Sequence, residues 1–220
     1  LVMFSLVNLV VKVKQVEKIN YDKKMWELLN NQGGIKKLLL HSCCAPCSSA
    51  CLEKLTPYFD ITILYYNPNI EPYEEYLKRK EEETRFIKEF PHSNKIDILD
   101  CDYDHDRFMK IANGLEKEPE RGKRCLKCYN LRMEYTAKKA EELGYDYFAT
   151  TLTLSPLKDS QAINKIGYAI SKRIGVSYLP SDFKKQNGYQ RSIELSKEYN
   201  LYRQNFCGCI YSKRNIEDIK

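Results

Sequence analysis

The chain has 220 residues, of which 43% are hydrophobic, 12% aromatic and 30% charged, as is typical of a globular protein. No apolar run approaches the ~20 residues that a membrane-spanning helix needs, and the composition equally excludes collagen and a disordered chain. Lys and Arg number 36 against 30 Asp and Glu, and the resulting net charge of +6 favours an anionic partner such as nucleic acid.

Residues 1–35 are interpreted as an N-terminal extension. The apolar start at 1–11 has no basic residues ahead of it and no small-residue cleavage pattern after it, so we do not interpret it as a signal peptide. An added strand is one possibility for this segment.

From residue 36 onward, short apolar runs alternate with helical patterns, which indicates an α/β fold in which crossover helices connect the strands of a parallel sheet. Strands are predicted at 37–41, 60–66, 95–99, 147–151 and 177–179, and helices at 47–55, 72–90, 104–113, 126–143, 159–174 and 192–199. Gly144 and Gly175 are predicted to end two of these helices. Ligands of such a sheet bind at the carboxyl ends of the strands.

The helix predicted at 72–90 contains a run of charged residues from 78 to 83. Its spacing offers the pairs Lys78–Glu82 and Arg79–Glu83. The simplest interpretation is that the run forms a solvated helix face.

Nine cysteines are the most informative part of the composition, and they are clustered: Cys43, Cys44, Cys47, Cys51, Cys101, Cys125, Cys128, Cys207 and Cys209. Secreted disulfide scaffolds are usually shorter and denser in cysteine, and an odd number cannot pair completely. We therefore expect a reducing cytoplasm, in which clustered thiols indicate metal or redox chemistry.

The first cysteine cluster follows the first predicted strand, where a nucleotide-binding domain would carry a glycine-rich phosphate loop. It places Cys43, Cys44 and Cys47 at this position, so the loop is suited to a soft metal. A disulfide between Cys43 and Cys44 would strain the peptide bond that joins them, and we expect both thiols to face other partners.

The second cluster, Cys125 and Cys128, lies at the start of a long helical pattern. Two intervening residues let both sulfur atoms face one ion or cluster, and the helix dipole with the adjacent basic residues favours thiolates. About four ligands complete such a site, and Cys43 and Cys44 are the obvious donors of the other two. A structural zinc half-site or ordinary buried thiols are the alternatives.

The third cluster is Cys207-Gly208-Cys209, in which one intervening glycine permits a small, strained disulfide. Strained disulfides are labile or catalytic, so the pair is a candidate electron relay. Metal ligation by both thiols, or no role at all, are the alternatives. Cys51 is expected in the core, and Cys101 fits either a core residue or a metal ligand.

The three histidines, His41, His92 and His105, have no mutual ligand spacing and are expected to be structural, with outer-shell or proton-donor roles as the alternative for His41 and His105. If the thiols hold iron, Asp104 is a candidate ligand of a second iron ion.

Basic and aromatic residues lie near the cysteines in the sequence. They can hold phosphates and stack the bases of a single-stranded loop, although half of them equally fit a helix surface: Arg124, Tyr129, Arg132, Phe183, Lys184, Lys185, Tyr189, Arg191, Tyr202 and Arg203.

Several motifs, taken in order over residues 36–212, resemble the epoxyqueuosine reductases of the QueH type. The matching residues are His41-Ser42-Cys43-Cys44-Ala45-Pro46-Cys47, Tyr66-Asn67-Pro68-Asn69-Ile70, Pro72, Tyr76, Arg79, Arg124-Cys125, Cys128-Tyr129, Arg132, Thr150-Thr151-Leu152, Ser155-Pro156, Lys158, Tyr202-Arg203-Gln204-Asn205 and Cys207-Gly208-Cys209. Phe206 and Lys184 stand where the family often has Tyr and Arg, which leaves every thiol in place.

The resemblance implies a single Rossmann-like catalytic domain over residues 36–220, similar to the adenine-nucleotide alpha-hydrolases, with a metal site at the carboxyl ends of the strands. It implies cobalamin-independent reduction of epoxyqueuosine to queuosine at the tRNA wobble position, the last step of queuosine biosynthesis. Cys43, Cys44, Cys125 and Cys128 would hold a [4Fe–4S] cluster, and Cys207 with Cys209 would form a redox-active disulfide. Cys47 and Asp104 are further candidates, as ligands of an additional mononuclear iron. The implied partners are tRNA carrying epoxyqueuosine and an unidentified electron donor in the cytoplasm, with no membrane.

Two other classes of protein explain part of the pattern. A zinc-binding module that interacts with RNA without catalysis explains the thiols and the positive charge but not the Cys-Gly-Cys segment. A thiol-disulfide or sulfur-transfer enzyme would use Cys125 and Cys128 as its active pair and would work without metal.

Overall fold

The computed structural model describes residues 18–217. Its strands are β1 (Lys36–His41), β2 (Phe59–Leu64), β3 (Ile96–Leu99), β4 (Tyr147–Thr150) and β5 (Ser177–Tyr178). Its α-helices are α1 (Tyr21–Asn31), α2 (Ala45–Leu55), α3 (Tyr73–Glu89), α4 (His105–Ala112), α5 (Lys123–Glu142), α6 (Ser160–Ile174), α7 (Gly188–Glu198) and α8 (Ile210–Glu217). All predicted strands and helices are present, with ends that differ by a few residues.

The described strands form one sheet in the order β3-β2-β1-β4-β5, and every neighbouring pair is parallel. In this register the last residue of β1, His41, lies between Leu64 of β2 and Thr150 of β4. The carboxyl ends of the three central strands therefore meet at one edge of the sheet. The predicted α/β class with a parallel sheet and flanking helices is confirmed.

The central strand β1 is buried on both faces because helices cover both sides of the sheet. Leu38 and Leu40 join the apolar cluster on one face, and Leu39 joins the cluster on the other. This explains why β1 reads as a continuous apolar run instead of an alternating one. Within residues 18–217, no helix has both the length and the apolar content needed to cross a bilayer.

Helix α1 was not predicted from the sequence. The side chain of Asn20 caps it by accepting a hydrogen bond from the backbone N–H of Lys23 at 3.0 Å. Met25 and Leu29 on α1 belong to the core cluster. The strand considered for residues 1–11 lies outside the described residues, and the division into an extension (1–35) and a catalytic domain (36–220) stays a prediction.

The interpretation of the charged run in α3 as a solvated face is wrong for Arg79 and Glu83, whereas Lys78 and Glu81 are exposed. Arg79 and Glu83 are only 2% and 1% exposed, because their side of the helix packs toward the thiol loop after β1. Arg79 forms its ion pair with Glu75, one turn back along the helix, at 2.7 Å. Lys78 lies 3.6 Å from the ring centre of Tyr202.

The predicted helix ends agree with the structure at Gly175, which caps α6 in the left-handed conformation at φ 103°. Gly144, at φ 69°, follows the end of α5. Helix α5 begins earlier than predicted, so Cys125 and Cys128 lie within its first two turns.

Candidate metal and redox centre

The first thiol cluster lies between β1 and α2, at the carboxyl edge of the sheet. The sulfur atoms of Cys43, Cys44 and Cys47 all lie within 4.8 Å of one another, and those of Cys43 and Cys44 are 4.0 Å apart. Pro46 in the first turn of α2 fixes the entry of the chain into the helix. Three soft ligand atoms at this spacing, largely shielded from water, fit a thiophilic metal ion or an iron–sulfur cluster.

One of these three sulfur atoms is stabilised as a thiolate. Hydrogen bonds from the thiols of Cys44 and Cys47 hold the pKa of Cys43 well below its ordinary value, and the charges of Lys158 and Arg132 lower it further. The same contacts, together with burial, raise the pKa values of Cys44 and Cys47. Metal binding would release the protons of these two thiols.

The second and third cysteine clusters reach the same region. Cys43, Cys44, Cys128 and Cys209 belong to one cluster of buried residues, and Cys125 packs against it. Among the described residues, Cys43, Cys44 and Cys47 are the only group of three or more potential ligands whose ligand atoms all lie within 4.8 Å of one another, so Cys47 lies closer to the first pair than the sequence indicated. The four-ligand set Cys43, Cys44, Cys125 and Cys128 stays a prediction.

Helix α5 does not lower the pKa values of its two thiols as the sequence suggested. Burial raises the pKa of Cys125, and it raises that of Cys128 to about 12. The charge of Cys207 raises both pKa values as well, whereas Arg132 lowers that of Cys128. At Cys125, desolvation thus outweighs the backbone hydrogen bond at Arg121 and the charge of Arg124, both of which lower the pKa.

The Cys207-Gly208-Cys209 segment is held against the loop that follows β2. The N–H of Glu71 donates to the carbonyl of Gly208 at 3.0 Å, and the N–H of Ile210 donates to the Glu71 carboxylate at 2.9 Å. Gly208 has φ 114°, and a Cβ atom built there would lie 2.8 Å from Cγ1 of Ile70. Cys207 and Cys209 are both free thiols in this structure.

A buried network of polar side chains packs next to the thiol loop. Arg132 on α5 donates from Nε to Nε2 of His41 at 3.2 Å and from Nη2 to Oδ1 of Asn67 at 2.5 Å. His41 in turn contacts Oγ1 of Thr150 through Nδ1 at 2.9 Å. Burial, with the charge of Arg132, lowers the pKa of His41 to about 3, so this histidine is neutral and has the structural role expected for it.

The remaining candidate ligands lie at the margin of the site. Asp104 accepts a hydrogen bond from the hydroxyl of Tyr66 at 3.1 Å and is not part of the three-thiol group. His105 contacts the carbonyl of Pro68 through Nδ1 at 2.8 Å. Cys51 is buried, and its Sγ donates to the carbonyl of Cys47 at 3.2 Å, in agreement with its assignment to the core.

A cavity of about 340 Å³ opens onto the thiols. Cys43, Cys44, Cys47 and Cys207 line it, together with the residues Pro46, Arg79, Glu120, Leu154, Ser155, Pro156, Leu157, Lys158, Tyr189, Ser192, Arg203, Gln204, Asn205, Phe206 and Ser212. Burial by itself would lower the pKa of Lys158, but the charges of Cys207, Cys43 and Cys47 raise it, so the ammonium stays charged beside the sulfur atoms.

The basic and aromatic residues predicted to bind nucleic acid divide into two groups. Arg203 and Tyr189 line the cavity, with the guanidinium 5.9 Å from the ring centre. Others serve the fold: Arg191 pairs with Glu53 at 2.8 Å, and Lys184 pairs with Asp182 at 2.6 Å.

Two acidic residues of this region were missed in the sequence. Glu120 lines the cavity, and Glu83 is buried behind the thiol loop, where burial raises its pKa to about 8. The spacing of Glu83 from Glu75, Tyr76 and Arg79 along one face of α3 was the signal available for Glu83. For Glu120, which lies in a loop rich in charged residues, the sequence holds no comparable signal.

These features define a class of protein: a Rossmann-like α/β protein in which a cysteine loop occupies the place of a phosphate-binding loop and faces two further cysteine clusters. The family model described as "Epoxyqueuosine reductase QueH" matches residues 38–215. The chain belongs to the QueH family.

Proteins similar to this chain carry the same name as the family model. A protein named epoxyqueuosine reductase QueH from Staphylococcus epidermidis is 46% identical over 203 residues, 89% of this chain and 85% of that protein. Those from Streptococcus pyogenes and Thermotoga maritima are 43% and 35% identical, over 96% and 80% of this chain and 85% and 89% of their own lengths. A solved structure, a predicted subunit of a tRNA methyltransferase from Methanocaldococcus jannaschii, aligns with TM-score 0.47 and 15% identity over 73% of this chain and 74% of that one.

Proposed function

We propose that this chain is an oxidoreductase that reduces epoxyqueuosine to queuosine at the wobble position of tRNA, without cobalamin. The observation that carries the proposal is the convergence of three cysteine clusters from distant parts of the sequence on one region, with Cys207 and the first cluster lining one cavity. Membership in the QueH family supplies the substrate. The proposed catalytic domain spans residues 36–220 and works in a reducing cytoplasm.

The proposed cofactor is a [4Fe–4S] cluster on Cys43, Cys44, Cys125 and Cys128. The soft donor set and the thiolate at Cys43 support this assignment. When bound, such a cluster supplies single electrons and a Lewis acid for the epoxide oxygen. Cys47 and Asp104 are proposed as ligands of an additional mononuclear iron, and the position of Cys47 beside Cys43 and Cys44 favours it over Asp104.

The reaction converts an epoxide to an alkene and water, and it consumes two electrons and two protons. Oxidation of the Cys207 and Cys209 thiols to a disulfide releases two electrons and two protons, so one dithiol balances one turnover. An external reductant must then return the disulfide to the dithiol. Lys158, charged beside Cys207 and Cys43, is placed to stabilise negative charge on the oxygen as the C–O bond breaks.

The first test is the iron, sulfide and zinc content of anaerobically purified protein, with its absorbance before and after dithionite. We expect roughly four irons and four sulfides per chain and a broad band that bleaches on reduction, with extra iron if the mononuclear site is filled. Stoichiometric zinc without sulfide, also after reconstitution, would instead indicate the RNA-binding zinc module.

The second test follows epoxyqueuosine in an anticodon stem-loop by mass spectrometry. Replacing Cys43, Cys44, Cys125 or Cys128 by Ser should abolish conversion, whereas Cys101→Ser serves as the matched control, since its sulfur binds the carbonyl of Tyr65 outside the three-thiol group. Full turnover by a metal-free protein that depends on Cys125 and Cys128 would favour the thiol-disulfide enzyme.

A further inference from the structure

The charges that line the cavity are unbalanced. Arg79, Lys158 and Arg203 bring three cations to the wall, and Glu120 is the acidic residue among the described lining residues. The cations suit the phosphates of an RNA strand. A carboxylate in this wall weakens phosphate binding, so it needs a different explanation.

Glu120 has no partner among the described side chains to explain its position. Its carboxylate makes no hydrogen bond or ion pair with any residue whose side chain the structure describes, which are residues 18–213. Its charge contributes to the raised pKa of Cys125. A half-buried carboxylate without a partner, beside the thiol region, is available to a ligand that donates hydrogen bonds.

The loop that carries Glu120 is fixed in place. Arg124 donates from Nη1 to the carbonyls of Leu115, Glu116 and Glu118 at 2.8, 3.1 and 2.7 Å. Arg121, which follows Glu120, donates to the carbonyls of Leu157 and Pro156 at 2.7 and 3.1 Å, and thereby ties the loop to another segment that lines the cavity. A carboxylate on such a supported loop is preorganised for binding.

We propose that Glu120 binds the ammonium group of the modified nucleoside and so positions its epoxide ring beside the thiols; this inference rests on the proposed function. In epoxyqueuosine a secondary amine joins the 7-deazaguanine base to the ring that bears the epoxide. This amine is protonated at neutral pH, and Glu120 is the carboxylate among the described lining residues that can pair with it. Because Glu120 lines the same cavity as Cys43 and Cys207, an amine bound to it lies in the cavity that holds these thiols.

Binding of two stem-loops tests this assignment without relying on turnover. The probes are anticodon stem-loops with 7-aminomethyl-7-deazaguanine or 7-cyano-7-deazaguanine at the wobble position, which share a base and differ in the ammonium group. The wild-type protein should bind the aminomethyl form about 10-fold or more tightly than the cyano form, as for a charge-assisted hydrogen bond. The substitution Glu120→Gln should reduce this ratio to about one.

The control variant Glu141→Gln removes an equal charge from an exposed position on α5 and should keep the wild-type ratio. Glu120→Asp keeps the charge and should keep part of the preference. The assignment is overturned if the wild-type protein does not prefer the aminomethyl probe. It is also overturned if the Glu120→Gln variant keeps this preference or binds both probes more weakly by the same factor. Failure of the wild-type protein to convert epoxyqueuosine would contradict the proposed function alone, since the binding ratio does not require conversion.

Discussion

Arg79 on α3 donates a hydrogen bond from Nη1 to the backbone oxygen of Cys207 at 3.3 Å, across 128 residues of sequence. Its Nε donates to Glu75 at 2.7 Å, and its guanidinium lies 4.9 Å from the ring centre of Phe206. A buried cation therefore positions the backbone beside one thiol of the Cys-Gly-Cys segment, while the sulfur atom itself stays free to react.

Arg79→Lys should loosen this segment because a lysine cannot reproduce the forked contacts of the guanidinium. We expect a loss of stability of roughly 2 kcal/mol. Hydrogen exchange at residues 203–209 should be faster than in the wild type. Arg85→Lys is the matched control on the same helix, since Arg85 pairs with Glu82 and Glu89 away from the cavity. Equal exchange in the two variants would contradict a positioning role for Arg79.

Gly208→Ala should disturb the same segment through its backbone. The residue has φ 114°, and a Cβ atom would lie 2.8 Å from Ile70 and 3.2 Å from Nη1 of Arg79. We expect a cost of roughly 1–3 kcal/mol in urea unfolding and an altered disulfide potential. Gly114→Ala is the comparison, because Gly114 also has positive φ but has open space around it. If both variants lose the same stability, the crowding at Gly208 has no effect.

Cys47→Ser and Cys51→Ser form a matched pair, because the two residues lie one turn apart on α2. Cys47 belongs to the group of sulfur atoms within 4.8 Å, whereas Cys51 is bound to the carbonyl of Cys47 in the core. Metal analysis after reconstitution should show less iron for Cys47→Ser and wild-type iron for Cys51→Ser. Wild-type iron in both variants would remove Cys47 from the ligand set.

Glu83 should make the stability of the metal-free protein depend on pH. Burial raises its pKa to about 8 from 4.5, with the nearby hydroxyls of Ser48 and Ser42 acting to lower it and the charges of Cys43 and Glu82 acting to raise it. The carboxylate oxygens of Glu83 form no hydrogen bond of normal geometry with the described residues. An acid with a raised pKa in the folded state leaves stability unaffected below pH 4.5 and reduces it as pH rises toward 8.

The measurement for Glu83 is urea unfolding of metal-free wild type and Glu83→Gln between pH 5 and 8. At pH 7 the burial of the carboxyl costs the wild type roughly 3 kcal/mol relative to a neutral side chain. The variant should therefore gain stability over the wild type as pH rises. Parallel pH curves for the two proteins would show that Glu83 titrates normally.

The sequence predicted the fold well because the signal for a parallel sheet is local and repeated. The apolar runs at 37–41 and 147–151 alternate with predicted helices, and each forms a strand in the structure. Helix α1 was missed because residues 1–35 were interpreted together as an extension, although Tyr21, Met25 and Leu29 recur at helical spacing and Asn20 supplies a cap.

The candidate site was predicted by residue type more than by geometry. Cysteine clusters stand out in a sequence, so all three were found, and they do converge. Their relative distances depend on how α2 and α5 pack, which no local pattern encodes, and Cys47 was therefore ranked below Cys128. Arg79 and Glu83 were placed in water because charged residues are rarely buried, and only tertiary packing reverses that expectation.

The cavity wall between residues 203 and 212 has a consequence for the order in which the site is assembled. The thiol loop after β1 and the first turns of α5 come earlier in the chain than this wall, which contacts α3 through Arg79 and the loop before α3 through Glu71. Residues 203–212 are therefore synthesised after the two cysteine clusters beside which they pack. We expect the first two clusters to be more accessible to an incoming metal before this segment docks than after it.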